Sequence, residues 1–501
     1  MSRRLVTRTS HVLHPDPTRV LTTVFLPGQE MMTPGTSRAT TVLDRVLALS
    51  DEQVDRTLER AIDSFASRHR DIAGIFDARF QLIAHRVADP SSMSVARRLV
   101  VGAYFSQEYA VESAALFNPS MVAHPDQSTL PVGATRFVMS VRAVGEGHMS
   151  SIGWRTGTID VHDRLEFDEL DGPLAQAQTV PTTYSKAQFQ HQLGHRLTDD
   201  DESAGYVLAG LPDTFDRSAL ERAMATLNGQ SLTRGPLSPA IERLDHLASA
   251  QYTIRFPADS SLCQRVIMPG GPAEEQGLED LRLVRFTEDD GSTSYRGTYT
   301  AFDGTRVTPA LLRTTDFLTF DRQQATGPAS QNKGMALFPR AVSGRYLALS
   351  RWDRESTSLA ESADLSDWGV VTTLQQPAQP WEVVQVGNCG SPIETAAGWL
   401  VLTHGVGPMR EYGIGAMLLD LRDPSVVLGS LEEPLLTPTE HEREGYVPNV
   451  VYSCGAMLHG DTIVLPYGCS DSYIRIALVD LEGLLSRLSQ SRPRPTPQAT
   501  R

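Results

Sequence analysis

The chain has 501 residues, of which 40% are hydrophobic and 21% charged, a composition typical of globular proteins with a substantial core. This length favours two or three domains, or one large β domain. The formal net charge of -15 argues against nucleic acid or an anionic membrane surface as the main partner.

Cysteine usage and the first residues indicate the compartment. The four cysteines are Cys263, Cys389, Cys454 and Cys469, and none forms a Cys-x-x-Cys pair, so we expect no zinc cluster. Residues 1–7 are basic but lack a following apolar segment, and no run approaches the roughly 18 apolar residues of a membrane span. We therefore predict a cytoplasmic protein with reduced, mostly buried thiols. Because the sequence shows neither a nucleotide-binding loop nor a calcium loop, we also expect no metal or organic cofactor.

Residues 1–111 are predicted to be mostly helical after a short extended start. Apolar residues recur at helical spacing over residues 42–67, where Ser50 and Asp51 are suited to cap a helix between two helical segments. Residues 92–115, rich in Ala, Arg, Val and Leu, predict a further helix.

From residue 112 onward the pattern becomes that of an all-β protein. Short apolar runs alternate with turns rich in Gly, Asp, Asn and Pro, and we predict a β domain over residues 112–488. Residues 185–250 interrupt it with helical patterns, most clearly at 218–227 and 239–249, and are interpreted as an insertion. The Pro-, Arg- and Thr-rich residues 489–501 are predicted to be a disordered tail.

A loose internal repeat runs through the β region. Each copy is a turn followed by a short apolar strand that ends in polar residues, and the five copies are residues 135–142, 294–301, 344–351, 398–404 and 461–467. About five such units arranged radially form a β-propeller, in which the ends of the inner strands converge on a central pocket. A β-sandwich with coincidental strand ends is the alternative, and the polar strand ends favour the five-bladed propeller.

The polar residues at the strand ends are candidates for one pocket. They are Arg142, Asp280, Arg282, Lys333, Arg351, His404 and Asp471. Strict alternation along a strand would place Asp280 and Arg282 on one face, where the cation favours the ionised aspartate, although an ordinary surface ion pair is the alternative. Carboxylates suit acid–base work on hydroxyl and glycosidic oxygens, and cations suit an oxyanion such as phosphate.

Six short segments are specific when taken together. They are Phe-Asn-Pro at 117–119, Glu-Asp-Leu-Arg at 279–282, Asn-Lys-Gly-Met-Ala-Leu-Phe-Pro at 332–339, Gly-Trp-Leu-Val-Leu-Thr-His-Gly-Val at 398–406, Leu-Leu-Asp-Leu-Arg-Asp-Pro at 418–424 and Asn-Val-Val-Tyr-Ser-Cys-Gly at 449–455. In this order, over residues 112–486, they resemble glycoside hydrolase family 130. The helical start and the insertion lie outside the common core of the family.

The resemblance implies a five-bladed β-propeller that cleaves β-mannosides with inversion. Most members of the family transfer the mannosyl unit to inorganic phosphate and give α-mannose 1-phosphate, and some are hydrolases. The family's general acid, which acts through the 3-hydroxyl of the sugar, corresponds to Asp280. Its phosphate-binding cations correspond to Lys333, Arg351 and His404, and its sugar-binding arginine and aspartate to Arg142 and Asp471.

One departure leaves the reaction open. Many phosphorylases of the family have lysine in a Pro-Ile-Lys-Thr segment, whereas this chain has Glu394 in Pro-Ile-Glu-Thr at 392–395. Because a carboxylate beside phosphate is unfavourable unless it is paired, Glu394 either pairs or faces away, or it activates water as the base of an inverting hydrolase. A phosphorylase is favoured, with an inverting β-mannosidase and a non-catalytic sugar-binding propeller as alternatives.

Several further residues could either bind substrate or have a structural role. His148, within Gly-Glu-Gly-His at 145–148, either lines the sugar site or closes a turn, and Glu279 and Arg282 are further substrate-binding candidates. Tyr412 and Trp381 are either aromatic platforms for sugar rings or packing residues between blades. The expected partners are a β-mannoside oligosaccharide and phosphate, and homo-oligomer formation stays open.

Overall fold

A computed structural model describes residues 4–28, 31–33, 36–194, 202–229 and 238–491 of the protein, and these residues are mostly β-structure. Within these ranges, no helix is both long and apolar enough to cross a membrane. All four cysteines lie in the described part, where they are buried free thiols, as the sequence predicts.

The N-terminal part combines four helices with short strands. Its elements are β1 (Val6–Leu13), β2 (Val20–Val24), β3 (Met31–Thr33), β4 (Thr36–Ser37), α1 (Arg38–Leu47), α2 (Asp51–Phe65), α3 (Ile72–Ile83), α4 (Val95–Tyr104) and β5 (Ser106–Ala110). Ser50 caps α2 in a capping box, since its hydroxyl accepts from the amide of Gln53, whose side chain accepts from the amide of Ser50. The helix predicted over 92–115 is shorter, because β5 forms instead and pairs with β2.

Helices also lie between the strands of the β region. The elements up to the end of this insertion are β6 (Ala115–Ala123), β7 (Thr135–Val144), β8 (Ser150–Ile159), β9 (Leu165–Phe167), β10 (Ala175–Gln176), β11 (Gln178–Val180), β12 (Thr183–Ser185), α5 (Lys186–Gly194), α6 (Glu202–Ala209), β13 (Thr214–Asp216), α7 (Arg217–Gly229) and α8 (Ser238–Ser249). Helices α7 and α8 coincide with the two helical patterns of the sequence. Phe189, Val207, Leu220 and Leu244 contribute to a separate hydrophobic cluster in this insertion.

Strands, most of them paired antiparallel, make up most of the remaining described residues. They are β14 (Tyr252–Arg255), β15 (Arg265–Val266), β16 (Gly277–Thr287), β17 (Thr293–Phe302), β18 (Val307–Thr314), β19 (Thr319–Gln324), β20 (Ala336–Leu337), β21 (Tyr346–Ser350), β22 (Thr357–Ser362), β23 (Gly369–Gln375), β24 (Gln385–Asn388), β25 (Ile393–Thr395), β26 (Gly398–Val406), β27 (Tyr412–Leu419), β28 (Val427–Ser430), β29 (Val451–Tyr452), β30 (Met457–His459), β31 (Thr462–Cys469) and β32 (Tyr473–Asp480), followed by helix α9 (Leu481–Gln490). The predicted tail therefore starts too early, since residues 489 and 490 belong to α9; residues 492–501 lie outside the described ranges.

Consecutive antiparallel strands form five groups. They are β6–β9, β16–β19, β20–β23, β24–β28 and β29–β32. The first two share one sheet of ten strands because β8 and β16 meet in parallel at Ser150 and Gly277. Each of the five repeated stretches of the sequence is the second main strand of one group: β7, β17, β21, β26 and β31.

The first strand of the chain, β1, is part of the sheet of the last strand group, although the helical N-terminal part follows it. Strand β1 pairs antiparallel with β32, so the boundary predicted at residue 111 cuts through a sheet. A buried ion cluster also fixes the segment after β1: the carboxylate of Glu112 accepts from Arg19 Nε at 2.9 Å and from Arg155 Nη2 at 2.7 Å. Because Arg155 lies on β8, this cluster ties the N-terminal segment to the first group.

Candidate active site

A β-bulge at Asp280 sets the geometry of the candidate site. In the pairing of β16 with β17, Glu279 lies opposite Thr300 and Arg282 lies opposite Thr298, so β16 contains one extra residue. Asp280 has a φ of 59°, in the left-handed region that non-glycine residues rarely adopt. The predicted alternation is therefore wrong here, and Asp280 and Arg282 do not form a simple carboxylate–guanidinium pair on one face.

Asp280 is buried and has partners from other strands. Its Oδ1 accepts from Asn118 Nδ2 at 2.7 Å and from Arg142 Nη1 at 3.2 Å. Arg282 lies behind it, with Nη1 donating to the backbone carbonyl of Asp280 at 3.0 Å and Nη2 donating to the hydroxyl of Tyr452 at 2.7 Å. Since Arg282 is only 1% exposed, it supports the Asp280 turn rather than facing a ligand.

The charges around Asp280 keep it ionised. Burial alone would raise the pKa of Asp280, but the cations of Arg142, Arg282 and Lys333 outweigh burial and lower this pKa to about 2. The group is therefore a carboxylate at neutral pH. Its proton affinity depends on those three cations, so a ligand that neutralises or moves one of them will change it.

Arg142 joins both carboxylates of the Glu-Asp-Leu-Arg segment. Besides its contact with Asp280, its Nη2 donates to Glu279 Oε1 at 2.6 Å and its Nε to Ser150 Oγ at 3.0 Å. The other carboxylate oxygen of Glu279 pairs with the ammonium of Lys333. Glu279 thus holds two cations of the site in place.

Asp471 is a second carboxylate of this cluster. It follows β31 with a φ of 50° and interacts electrostatically with Asp280 and Arg142. Burial and the neighbouring Asp280 carboxylate raise the pKa of Asp471 to about 6, against the opposing effect of Arg142 and Arg410. The two aspartates therefore differ in charge state between about pH 2 and pH 6, where Asp280 is ionised and Asp471 is protonated, and Asp471 is the more readily protonated of the two.

Arg351 and His404 form a second cluster beside the first. Arg351 Nη1 lies 3.0 Å from His404 Nε2, and a Cβ atom at Gly387 would come within 2.9 Å of Arg351 Cδ and 2.4 Å of His404 Cε1. The absence of a side chain at Gly387 thus makes room for the pair. The imidazole packs edge-on against Tyr452 and parallel to Tyr412.

The family resemblance implies a phosphate-binding cation at His404, but the imidazole is uncharged in the structure. Burial lowers the pKa of His404 well below its ordinary value, and Arg351 and Arg282 lower it further. At neutral pH the imidazole is therefore uncharged, and its Nε2 accepts from Arg351. Arg351 is the main cation of this cluster, because Lys333 already pairs with Glu279.

The structure favours the reading of Glu394 in which its carboxylate is paired over the reading in which it activates water. Glu394 pairs with Arg340 through both carboxylate oxygens, at 2.7 and 2.9 Å, and is 40% exposed. It lies opposite Trp399 in the pairing of β25 with β26, five residues before His404 on β26. That spacing corresponds to about 16 Å along a strand. Glu394 therefore lies at the opposite end of β26 from His404, with both carboxylate oxygens already bound by Arg340.

Of the residues with two readings, Tyr412 and Trp381 make packing contacts in the structure, whereas His148 is exposed. Tyr412 packs against His404, and Trp381 packs beneath β26 and β27, where a Cβ at Gly405 would lie 2.5 Å from its ring. The indole Nε1 of Trp381 donates to the carbonyl of Glu432 at 2.9 Å. Packing is therefore the role of Trp381, whereas His148 is exposed and contacts Tyr446, as described below.

Three contributors were not identified from the sequence. Asn118 donates to Asp280, Tyr452 accepts from Arg282, and Arg410 interacts with Asp471. Asn118 and Tyr452 lie in segments that carry the family resemblance, which was the available signal. Asn118 and Arg410 share with Asp280 and Asp471 a left-handed backbone, a strained feature that is enriched at functional sites.

The donor set suits sugar hydroxyls and an oxyanion rather than a metal. Among the described residues, no group of three or more His, Cys, Asp or Glu side chains is arranged to hold a metal ion. The two carboxylates can hydrogen-bond hydroxyls and exchange protons, and Arg351 can bind an anion.

Comparison with known proteins gives consistent matches. Residues 244–490 match the glycoside hydrolase family 130 model, described as beta-1,4-mannooligosaccharide phosphorylase. The chain is 35% identical over 218 residues to a 1,2-beta-oligomannan phosphorylase of Thermoanaerobacter sp., an alignment that covers 42% of this chain and 71% of that protein. It is 34% identical over 204 residues to a beta-1,2-mannobiose phosphorylase of Listeria innocua, covering 39% of this chain and 56% of that protein. A solved structure of a Listeria innocua beta-1,2-mannobiose phosphorylase aligns with a TM-score of 0.42 and 21% identity, over 76% of this chain and 93% of that one.

Proposed function

The chain belongs to glycoside hydrolase family 130, and from this premise we propose that it is a β-mannoside phosphorylase that releases α-mannose 1-phosphate. The observation that carries the proposal is the adjacency of two clusters, Asp280 with Arg142 and Arg351 with His404. Tyr452 joins them, because its hydroxyl accepts from Arg282 behind Asp280 and its ring packs against the imidazole of His404. The first cluster suits the hydroxyls of a mannosyl unit and the second suits inorganic phosphate.

In the proposed reaction, phosphate attacks C1 of the mannosyl unit from the face opposite the glycosidic oxygen. The C1–oxygen bond breaks as the new C1–O–P bond forms, and the configuration inverts. The leaving oxygen takes a proton from the sugar's 3-hydroxyl, which takes one from Asp280. Atoms and charges balance because Asp280 ends as the carboxylate.

Asp280 must gain a proton before this step. It is ionised at neutral pH because three cations lower its pKa, so the proton comes from solvent or from the bound phosphate. Bound phosphate would bring negative charge to Arg351 and Lys333, and this charge would raise the pKa of Asp280. We infer that substrate binding itself prepares the acid, while Arg142 and Asp471 bind sugar hydroxyls.

We assign the anion site to Arg351, with Lys333 as a second cation. His404 acts as a neutral partner that orients the Arg351 guanidinium. Lys333 would exchange its contact with Glu279 for one with phosphate. Inorganic phosphate is then the only co-substrate in this proposal, which needs no organic cofactor.

The hydrolase alternative is not retained. It requires a base near Asp280, and the residue suggested for that role, Glu394, pairs with Arg340 at the other end of β26. An inverting hydrolase would need its two carboxyl groups about 6.5–9.5 Å apart, with a water molecule between them.

We further propose that the five strand groups are the blades of one propeller. Contacts between successive groups support a closed ring. They join Ser150 to Gly277, Thr287 to Arg340, Val386 to Glu355, Tyr412 to Asn449, and Ser120 to Gly455. Pairing of β1 with β32 would complete the last blade from the start of the chain. Asp280, Arg351, His404 and Asp471 would then lie at the centre of the ring.

Product analysis tests the proposed function. The purified protein is incubated with β-1,2- and β-1,4-linked mannobiose, with and without inorganic phosphate. We expect α-mannose 1-phosphate to form only when phosphate is present. Release of free mannose at the same rate without phosphate, and no sugar phosphate in either case, would refute the proposal.

A further inference from the structure

We propose that His148 and Tyr446 form one wall of the subsite for the leaving sugar, so that this pair determines which acceptor the protein uses. The inference rests on the proposed phosphorylase function and adds a specificity-determining role for two residues. The Tyr446 hydroxyl lies 3.1 Å from His148 Nδ1, and the two rings are 5.7 Å apart at an angle of 38°. The contact joins residues 298 positions apart in the chain.

Tyr446 is fixed through its backbone while its ring is free to bind. Its amide donates to Ser472 Oγ at 2.7 Å, and the amide of Val447 donates to the carbonyl of Ser470 at 3.0 Å. These anchors lie on both sides of Asp471. Tyr446 is nevertheless 57% exposed, so part of its ring is accessible to a ligand.

His148 is fixed on the Arg142 side of the site. Gly147 and His148 have φ values of 68° and 60°, so the turn holds a non-glycine residue in a strained conformation. Two residues later, Ser150 accepts from Arg142 Nε. The pair therefore spans from the arginine to the aspartate that we assign to the mannosyl unit.

The position of the pair identifies the sugar that it contacts. His148 lies in the first strand group, and Tyr446 leads into the fifth, whereas Arg351 and His404 lie in the third and fourth. In the proposed ring, the pair is across the centre from the phosphate cluster. Because an inverting reaction places the nucleophile and the leaving group on opposite faces of the sugar, the pair is on the leaving-group side.

The chemistry of the pair suits a pyranose ring. The face of Tyr446 offers apolar surface to the C–H groups of a sugar, and the tyrosine hydroxyl and the imidazole offer polar partners to its hydroxyls. Holding two aromatic rings in advance reduces the entropy lost when the acceptor binds.

The reverse of phosphorolysis, in which the mannosyl unit of α-mannose 1-phosphate is transferred to an acceptor sugar, isolates this subsite. In that direction the acceptor and α-mannose 1-phosphate are separate substrates with separate KM values. Phosphate release is measured while mannose or β-1,2-mannobiose is varied as acceptor. We expect Tyr446→Ala to raise the KM for the acceptor about tenfold or more and to change the KM for α-mannose 1-phosphate by less than about twofold. Tyr446→Phe, which keeps the ring, should retain most acceptor binding.

His148→Asn supplies a second variant, because asparagine tolerates the left-handed backbone but lacks the ring. Tyr206→Ala is the matched control: Tyr206 is 54% exposed on α6, in the insertion, and should leave both KM values unchanged. If Tyr446→Ala does not fold, the same KM split in His148→Asn decides the question.

Two failures are distinguishable. If the wild-type protein uses α-mannose 1-phosphate normally but the acceptor KM of the Tyr446 and His148 variants is unchanged, the inference alone is refuted. An equal rise in both KM values would also refute it, because that result indicates general damage. If the wild-type protein releases no phosphate with any acceptor, the proposed function itself fails.

Discussion

Arg142, in the first strand group, donates from Nη1 to Oδ1 of Asp280, in the second group, at 3.2 Å. Nη2 of the same guanidinium donates to Oε1 of Glu279 at 2.6 Å. A single arginine thus keeps two carboxylates at fixed positions in a buried setting. Such charge-assisted bonds are stronger than neutral ones, and they fix the direction in which the Asp280 oxygens point.

Replacing Asp280 by Asn should abolish phosphorolysis. The amide keeps the size of the side chain and can still accept from Arg142, but it cannot supply a proton. General acid catalysis is worth roughly 10²–10⁴-fold, and we expect a loss in kcat of at least that order. Formation of α-mannose 1-phosphate from β-mannobiose and phosphate measures it.

Asp290→Asn is the matched control for this change. Asp290 lies in the exposed turn at the other end of the β16–β17 hairpin, where its Oδ1 accepts from the amide of Ser292. Asparagine can make the same bond, so activity should be unchanged. Equal activity in Asp280→Asn and Asp290→Asn would contradict the role of Asp280.

The repeat in the sequence predicted more of the fold than of the site. Stretches such as 135–142 and 461–467 are the second main strands of their groups, because a buried strand leaves a clear apolar signal. The bulge at Asp280 leaves no such signal, since an extra residue in a strand is visible only through its pairing. The same limit explains why Arg282 was assigned to the substrate.

The charge states also depend on surroundings that the sequence does not reveal. The family resemblance implies a cation at His404, but burial between Tyr412 and Tyr452 beside Arg351 keeps the imidazole neutral. Glu394 was considered as a base because it replaces a lysine of the family, and its pairing with Arg340 could be found only in three dimensions.

Arg351→Ala should weaken phosphate binding selectively. The variant loses the main cation of the anion site, so the KM for phosphate should rise about tenfold or more, while the KM for the β-mannoside changes little. Arg345→Ala, at the other end of the same segment, removes an exposed arginine paired with Glu361 and serves as control. Equal phosphate KM values in the two variants would contradict the assignment.

Glu394→Gln should leave phosphorolysis within about twofold of wild type, because Glu394 lies at the opposite end of β26 from His404 and belongs to an exposed pair worth about 0.2–1 kcal/mol. The measurement is the initial rate of α-mannose 1-phosphate formation, together with free mannose as the hydrolysis product. A loss of more than about a hundredfold, the scale of a removed catalytic base, would restore Glu394 as a catalytic candidate.

Asp471 should make stability depend on pH between its two pKa values. Because the pKa of Asp471 is raised from 3.8 to about 6, the folded protein binds this proton more tightly than the unfolded chain. The resulting stabilisation is fully present below pH 3.8 and is lost as the pH rises through about 6. Asp280 has the opposite sign: its contribution is present above pH 3.8 and is lost as the pH falls through about 2.

Comparison of Asp471→Asn with wild type tests this sign. Both side chains are neutral at pH 4, but only wild type carries a buried charge at pH 8. The Tm of the variant relative to wild type should therefore rise from pH 4 to pH 8, by about 1–3 °C. A relative Tm that falls over this range would show that Asp471 is stabilised as the anion.

Glu112 should be worth more to stability than any exposed acidic residue of the N-terminal part. It is fully buried and holds Arg19 and Arg155 together, so Glu112→Gln removes the carboxylate that pairs directly with both buried guanidinium groups. Breaking a buried pair in this way costs about 3–5 kcal/mol, whereas Glu52→Gln removes only an exposed contact with Arg56 and should cost less than about 1 kcal/mol. Thermal unfolding of the two variants measures the difference, and similar Tm values would show that the N-terminal segment is held mainly by other contacts, such as the pairing of β1 with β32.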